Sequence, residues 1–356
     1  MDNKKPKVLI VEDATSVAKI LAMILFEFDI VGIARSGREA LRMVGKTDPD
    51  IITMDVLLPD TNGVELTKTI LSTRSTPIII ISSLVTPDNQ RLVFDALLAG
   101  AYDVVAKSKF ITAEGKSVRA NKLISLVKAA ANRSMKSRKR LEETKDGKIS
   151  GDRRTQRRAK TAVPSPKIDT HKEIIVIGAS TGGPAALAEI LPNLPADFPF
   201  TILVGQHMAD GFIEGCARWL NSLSPITVKI ASDREEPKKS TAYFAPSAHN
   251  LQVTRSGRLA LTPCEPNKAC PSIDILLQSV AKTCAQKSVC LLLTGMGADG
   301  AKGLLAAKTA GAITVAQDEQ SSVIYGMPRE AAKLGAAEHV LSLKDIAPWL
   351  VKLSKG

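Results

Sequence analysis

The chain has 356 residues, 44% hydrophobic and only 4% aromatic, with a formal net charge of +12. That length accommodates two domains with full cores, and the scarcity of aromatics suits an Ala/Val/Ile/Leu-rich α/β protein better than a sandwich built on aromatic pairs. The charge does not mark a nucleic-acid-binding face: residues 133–160 hold twelve Lys/Arg and four Asp/Glu, so +8 of it sits in one segment, and no helix-turn-helix or aromatic RNA platform accompanies it.

In chain order, Lys7–Glu12 reads as a strand and Ser16–Phe28 as a helix. Ile30–Ala34, Ile51–Asp55, Pro77–Ser83 and Tyr102–Lys107 read as further strands, and Gly37–Val44 and Gln90–Leu98 have helical spacing. This alternation implies a parallel sheet covered on both faces. Ligands of such a sheet gather at the carboxyl ends of its strands. Those ends carry Glu12 and Asp13, then Asp55, then Ser82 and Ser83, then Lys107. Three carboxylates on one edge repel each other, and a hard, oxygen-liking cation such as Mg2+ relieves the repulsion. A phosphoryl group on Asp55 would add charge that Mg2+, Lys107 and a serine hydroxyl neutralise.

This ordered set resembles the receiver domain of two-component response regulators, and residues 1–130 are assigned to it. The resemblance implies a flavodoxin-like, doubly wound fold with Asp55, in Met54-Asp55-Val56-Leu57-Leu58-Pro59, as phosphoacceptor. It further implies Mg2+ among Glu12, Asp13, Asp55 and the Leu57 backbone carbonyl, Ser82 as switch hydroxyl and Lys107 as phosphate-binding cation. Three positions depart from that family's usual pattern: Asn62 replaces an Asp, Ser108 a Pro, and Val104 an aromatic.

Residues 131–170 are rich in Lys, Arg, Glu, Ser and Thr, with Pro164 and Pro166 near their end, and read as a basic flexible linker that buries no core. Its charge serves solubility, or draws the chain to an acidic partner or an anionic membrane surface. Residues 171–356 then resume the α/β rhythm, with strands at Glu173–Ile177, Thr201–Gly205, Val289–Thr294 and Ile313–Ala316. Thr241 to Leu261 reads as strand pairs with turns at Pro246-Ser247 and Ser256-Gly257.

Gly178-Ala179-Ser180-Thr181-Gly182-Gly183 lies between the first of these strands and a helix-like run from Pro184 to Leu191. A serine there holds its hydroxyl out at the top of the sheet, but needs a base to become a nucleophile. His207, just past Thr201–Gly205, is the best candidate; His171 lies at the linker's end, His339 in a surface-like stretch, and His249 is the weaker rival. Asp299, in the glycine-rich turn after Val289–Thr294, could hold the imidazole in the correct tautomer. Taken singly, the turns could instead bind phosphate or let helices pack closely, Met296 could be core, and Asp299 a helix N-cap. A dinucleotide fingerprint needs glycine where Ser180 stands, and a P-loop needs Gly-Lys-Ser/Thr. The G-x-S-x-G elbow of α/β-hydrolases fits locally, but their chain order is Ser, Asp, His, whereas here it is Ser180, His207, Asp299.

Residues 171–350 resemble the catalytic domain of the chemotaxis protein-glutamate methylesterases, the CheB family. The resemblance runs through Ile177-Gly178-Ala179-Ser180-Thr181-Gly182-Gly183, Gln206-His207-Met208, Tyr243-Phe244-Ala245-Pro246, Pro271-Ser272-Ile273-Asp274, Leu293 to Gly300, and Gly326-Met327-Pro328-Arg329-Glu330. It implies a Rossmann-like domain with a mostly parallel sheet and a Ser180–His207–Asp299 triad with oxyanion donors on the Thr181 and Met296 backbone. The implied reaction is hydrolysis of receptor glutamyl methyl esters to glutamate and methanol, with deamidation of receptor glutamines, and no cofactor for the esterase step. The implied partners are a chemotaxis histidine kinase as phosphodonor and the cytoplasmic domains of methyl-accepting chemoreceptors as substrate, so a membrane is met only through receptors. The receiver is expected to control access to the esterase cleft. Asn267-Lys268-Ala269-Cys270 departs from the family, which usually carries Arg or His there, and bears on substrate preference. Two rivals are a receiver with a non-catalytic binding output and a regulated dinucleotide-binding module.

The charged start, Met1 to Lys7, and the short apolar run after it do not make a signal peptide, and Glu27 and Asp29 break the longest apolar stretch. A cytoplasmic location is therefore expected. Cys216, Cys264, Cys270, Cys284 and Cys290 form no C-x-x-C pair and read as mostly reduced, buried thiols.

Overall fold

The computed structural model describes residues 5–83, 87–107, 120–121, 123–131, 173–208, 211–266 and 268–355. The chain divides into two compact units, Met1–Lys160 and Thr161–Gly356. The linker expected over 131–170 lies, past residue 131, outside the described residues, as do Ser108, His171 and Asn267.

In the first unit, β1 (Lys7–Val11), β2 (Asp29–Ala34), β3 (Ile51–Asp55), β4 (Ile78–Ser82) and β5 (Asp103–Ala106) form one sheet in the order β2-β1-β3-β4-β5. Every pairing is parallel. The strand order reverses at β1, the crevice where doubly wound sheets bind ligands. β3 and β4 are buried throughout, which is why Ile78-Ile79-Ile80-Ile81 has no polar alternation. The helices are α1 (Thr15–Ile24), α2 (Gly37–Thr47), α3 (Gly63–Thr73), α4 (Pro87–Leu98) and α5 (residues 123–131). Ser36 caps α2 by accepting the Glu39 N–H, and Asn62 caps α3 by accepting the Glu65 N–H. α1 ends four residues before the expected Phe28, because Leu25 and Phe28 turn inward to the core and the chain enters β2 at Asp29.

The second unit holds β6 (Ile174–Ala179), β7 (Thr201–Gln206), β8 (Thr227–Ile230), β9 (Thr241–Phe244), β12 (Ser288–Leu292), β13 (Ile313–Gln317) and β14 (His339–Leu341) in one sheet. Their order is β14-β13-β12-β6-β7-β9-β8, with all pairings parallel. The helices are α6 (Gly183–Ile190), α7 (Ile213–Leu223), α8 (Ile273–Thr283), α9 (Ala301–Thr309), α10 (Met327–Lys333) and α11 (Leu343–Ser354). β10 (His249–Val253) and β11 (Leu259–Pro263) form a separate antiparallel hairpin that closes over Ser256-Gly257. Pro246-Ser247 does not close a second hairpin; β9, on its N-terminal side, joins the parallel sheet between β7 and β8. The edge strands β8 and β14 were not anticipated, being four and three residues long and half-exposed. No described helix is long and apolar enough to cross a membrane.

The reading of the cysteines needs correction: Cys264 and Cys270 form a disulfide, while Cys216, Cys284 and Cys290 do not. Asn250 draws the two ends of that loop together. Its Oδ1 accepts the Ser272 N–H at 2.7 Å and lies 3.7 Å from Cys264 Sγ, so the hairpin end and the start of α8 converge. Five intervening residues cannot show this in sequence.

Candidate active site

β6 is the central strand of the second sheet, with β7 on one side and β12 on the other. Ser180 follows β6, His207 follows β7, and Asp299 lies in the turn after β12. Three sequence-distant residues thus share one sheet edge because their strands are neighbours. β6 and β7 end in register, Ala179 opposite Gln206, and the His207 N–H donates to the Ala179 carbonyl at 2.9 Å. Ser180 and His207 therefore leave the sheet side by side. His207 Nε2 lies 2.9 Å from Asp299 Oδ2. His249 sits instead on the separate hairpin, with Nδ1 against the Ser247 carbonyl, and His339 packs against Trp349 on the edge strand.

Asp299 is held by more than the imidazole. Oδ2 also accepts the Ile273 N–H at 2.8 Å, and Oδ1 accepts the Asp274 N–H at 3.1 Å and the Ser272 hydroxyl at 3.3 Å. Ser272 is the N-cap of α8, so the carboxylate occupies the positive end of that helix. Burial pushes the Asp299 carboxyl up, but the His207 bond and the two amides outweigh it and hold the group below the usual carboxylate range. Pro271-Ser272-Ile273-Asp274 resembled the family without a role attached; a serine before an apolar helical run is the N-cap signal that could have supplied one. A cavity of about 590 Å³ opens beside Asp299, lined in part by Ser272, Asp274, Glu265, Lys268 and Lys302.

The serine turn is fixed by buried polar groups. The Ser180 N–H donates to the Thr294 carbonyl, and Thr294 Oγ1 donates to the Thr181 carbonyl at 2.9 Å. A Cβ on Gly295 would stand 2.7 Å from Ser180 Cβ, so only glycine lets the β12 turn approach the serine this closely. Among the described residues, no protein acceptor pairs with the amides of Thr181 or Met296.

In the first unit the predicted acidic edge assembles. Glu12, Asp13 and Asp55 each place a carboxylate oxygen within 4.8 Å of the others. Lys107 Nζ pairs with Asp55 Oδ2 at 2.5 Å and with Glu12 Oε2 at 2.8 Å. Burial raises the Glu12 and Asp55 carboxyls despite Lys107. Burial opposes the charge on Lys107, but the bonds to Asp55 and Glu12 prevail and raise it. The Leu57 N–H lies 3.4 Å from Asp55 Oδ1, and buried Ser82 directs its hydroxyl to the Ser83 carbonyl rather than to Asp55.

Residues 175–350 match the family model described as CheB methylesterase, and residues 8–113 match the response regulator receiver domain. The chain is 40% identical over 360 residues to protein-glutamate methylesterase/protein-glutamine glutaminase 1 of Syntrophus aciditrophicus, covering 98% of both chains. It is 39% identical to a protein-glutamate methylesterase/protein-glutamine glutaminase of Nitrosospira multiformis, covering 97% of this chain and 96% of that one. The crystal structure of the Thermotoga maritima CheB methylesterase catalytic domain is 39% identical, covering 51% of this chain and 98% of its own, with a TM-score of 0.49. The chain belongs to the CheB methylesterase family, with a response regulator receiver domain ahead of the catalytic domain.

Proposed function

We propose that this protein is a phosphorylation-regulated protein-glutamate methylesterase, and protein-glutamine deamidase, that acts on methyl-accepting chemoreceptors in chemotaxis adaptation through a Ser180–His207–Asp299 triad. The observation that carries the reading is the 2.9 Å His207–Asp299 bond, with Asp299 itself oriented by α8, at the strand end beside Ser180. With Nε2 committed to Asp299, Nδ1 is the ring nitrogen left to serve the Ser180 hydroxyl. Nδ1 takes the proton as Ser180 Oγ attacks the glutamyl ester carbonyl. The uncommitted amides of Thr181 and Met296 receive the oxyanion, each worth roughly 3 kcal/mol in related chemistry. The imidazolium, steadied by Asp299, then protonates the departing methanol. Water activated by the same nitrogen releases glutamate from the acyl-enzyme, and ammonia replaces methanol when the substrate is a glutamine.

In the receiver, the carboxylates of Glu12, Asp13 and Asp55 suit Mg2+, and the Leu57 carbonyl would complete the set. Three carboxylates converge there, and buried Glu12 Oε2 meets Lys107 as an ion pair without hydrogen-bond geometry. When bound, the ion screens negative charge at Asp55. Asp55 is the phosphoacceptor for a chemotaxis histidine kinase, Lys107 moves its ion pair to the phosphoryl oxygens, and Ser82 turns to donate to them. The protein works in the cytoplasm and meets a membrane through its receptors.

The decisive experiment is Ser180→Ala with methylated receptor membranes. Methanol release should vanish, labelling by a fluorophosphonate should be lost, and phosphorylation of Asp55 should persist. Methanol release at the wild-type rate in that variant would show that Ser180 is not the nucleophile.

A further inference from the structure

Gln206 precedes the proposed base, and nothing in the reaction above uses it. The residue is 1% exposed at the end of β7. A single nitrogen, Nε2, donates to the Ser180 carbonyl at 2.9 Å and to the His207 carbonyl at 2.8 Å. The carboxamide therefore ties together the backbones of the two residues that must exchange a proton. The Ser180 carbonyl also accepts the Gly183 N–H at 2.8 Å, so the serine turn and the start of α6 hang on the same oxygen. Space is reserved for this amide: a Cβ on Gly183 would lie 2.0 Å from Gln206 Oε1.

The other half of the amide makes the arrangement costly. Gln206 Oε1 is buried with no hydrogen-bond partner. A buried, unsatisfied acceptor is unfavourable, and an apolar side chain of similar length would avoid it. The two donated bonds offset that penalty, and if they are lost the Ser180 carbonyl still keeps the Gly183 N–H. The orientation of the amide is fixed by the same fact, because two carbonyls need a donor and the reversed amide would aim an oxygen at both.

We propose that Gln206 is a positioning residue that sets the spacing of Ser180 and His207 from below the sheet edge. The proposal rests on the triad reading. Proton transfer from a hydroxyl to an imidazole falls steeply when the heavy atoms drift by a fraction of an ångström. Gln206 restricts that drift without touching substrate.

The test uses the full chain and methylated receptor membranes. Gln206→Met keeps the volume and removes the donor, and kcat should fall about 10- to 100-fold with KM within about threefold of wild type. The rate of fluorophosphonate labelling at Ser180 should fall in parallel while the thermal midpoint changes little. Gln206→Glu donates to a carbonyl only when protonated, so its activity relative to wild type should rise as pH falls from 8 to 6. Wild-type kcat in Gln206→Met, or a kcat loss that appears only where the variant has begun to unfold, would overturn the positioning role. An inactive Ser180→Ala beside a fully active Gln206→Met would defeat this proposal alone, whereas an active Ser180→Ala would remove the triad and this proposal with it.

Discussion

Asp299→Asn tests the geometry most sharply, because the carboxylate accepts two hydrogen bonds on each oxygen. If the amide nitrogen replaced Oδ2, it would face the Ile273 N–H and force His207 Nε2 to accept. The ring proton would then sit on Nδ1, and the base would be lost. If the nitrogen replaced Oδ1, it would face the Asp274 N–H and the Ser272 hydroxyl, and the hydroxyl can rotate to accept. Each orientation leaves one backbone amide unpaired, Ile273 or Asp274, and the second is expected because it alone keeps the tautomer of the wild-type ring. What is lost is then the negative charge beside the imidazolium. Opposite charges about 4 Å apart in a partly buried site attract by about 4 kcal/mol at an effective dielectric of about 20, and part of this is already offset by desolvation. A net loss of about 2–4 kcal/mol corresponds to a roughly 30- to 1,000-fold fall in kcat. Loss of the correct tautomer would cost about 10⁴-fold, as it does in serine proteases. The assay is methanol release from methylated receptor membranes under saturating substrate. A fall of less than threefold would refute the role of the charge, and a fall of 10⁴ or more would refute the orientation argument. Stability gives a second reading. Asp299 titrates below its ordinary value in the folded chain, so its contribution is present above about pH 4 and is lost as pH falls through the folded value. The stability gap between wild type and Asp299→Asn should therefore close toward low pH.

Two further substitutions probe the remaining chemistry. Burial raises Asp55 above its unfolded value, so its contribution to stability is present below about pH 4 and is lost as pH rises through the folded value. Asp55→Asn should stabilise the receiver at pH 7, on the order of 1 kcal/mol, since Lys107 keeps Glu12 as its partner. Calorimetry should show that gain shrinking toward pH 4, and a destabilised variant at pH 7 would contradict the sign. Cys264→Ser should lower the stability of the catalytic unit by about 2 kcal/mol, the chain-entropy value for so short a loop. Urea unfolding followed by Trp219 and Trp349, both in that unit, should show the difference without reductant and none with dithiothreitol. Identical wild-type midpoints with and without dithiothreitol would mean that the bridge contributes nothing.

The apolar runs were enough to read two parallel α/β sheets, because strands buried on both faces must be hydrophobic throughout. Runs such as Ile78–Ile81 and Ser288–Leu292 also fix where each strand ends, and strand ends are where Asp55, Ser180 and His207 sit. The acidic edge of the receiver was legible for the same reason. Short, half-exposed β8 and β14 were not, since three or four residues with mixed burial carry no periodic signal.

Sequence by itself thus determined the fold class, the strand-end placement of Ser180, His207 and Asp55, and the acid set around Asp55. Tertiary structure alone decided what lies across the sheet from what. The order β12-β6-β7 sets Asp299 and His207 on either side of the serine strand, and no local rule states that order. The N-terminus of α8 on Asp299, the Gln206 amide between two carbonyls, and the Cys264–Cys270 bridge are likewise products of packing. Each depends on distances between segments set by the closing of a core, whereas composition and periodicity describe only what one segment does along its own length.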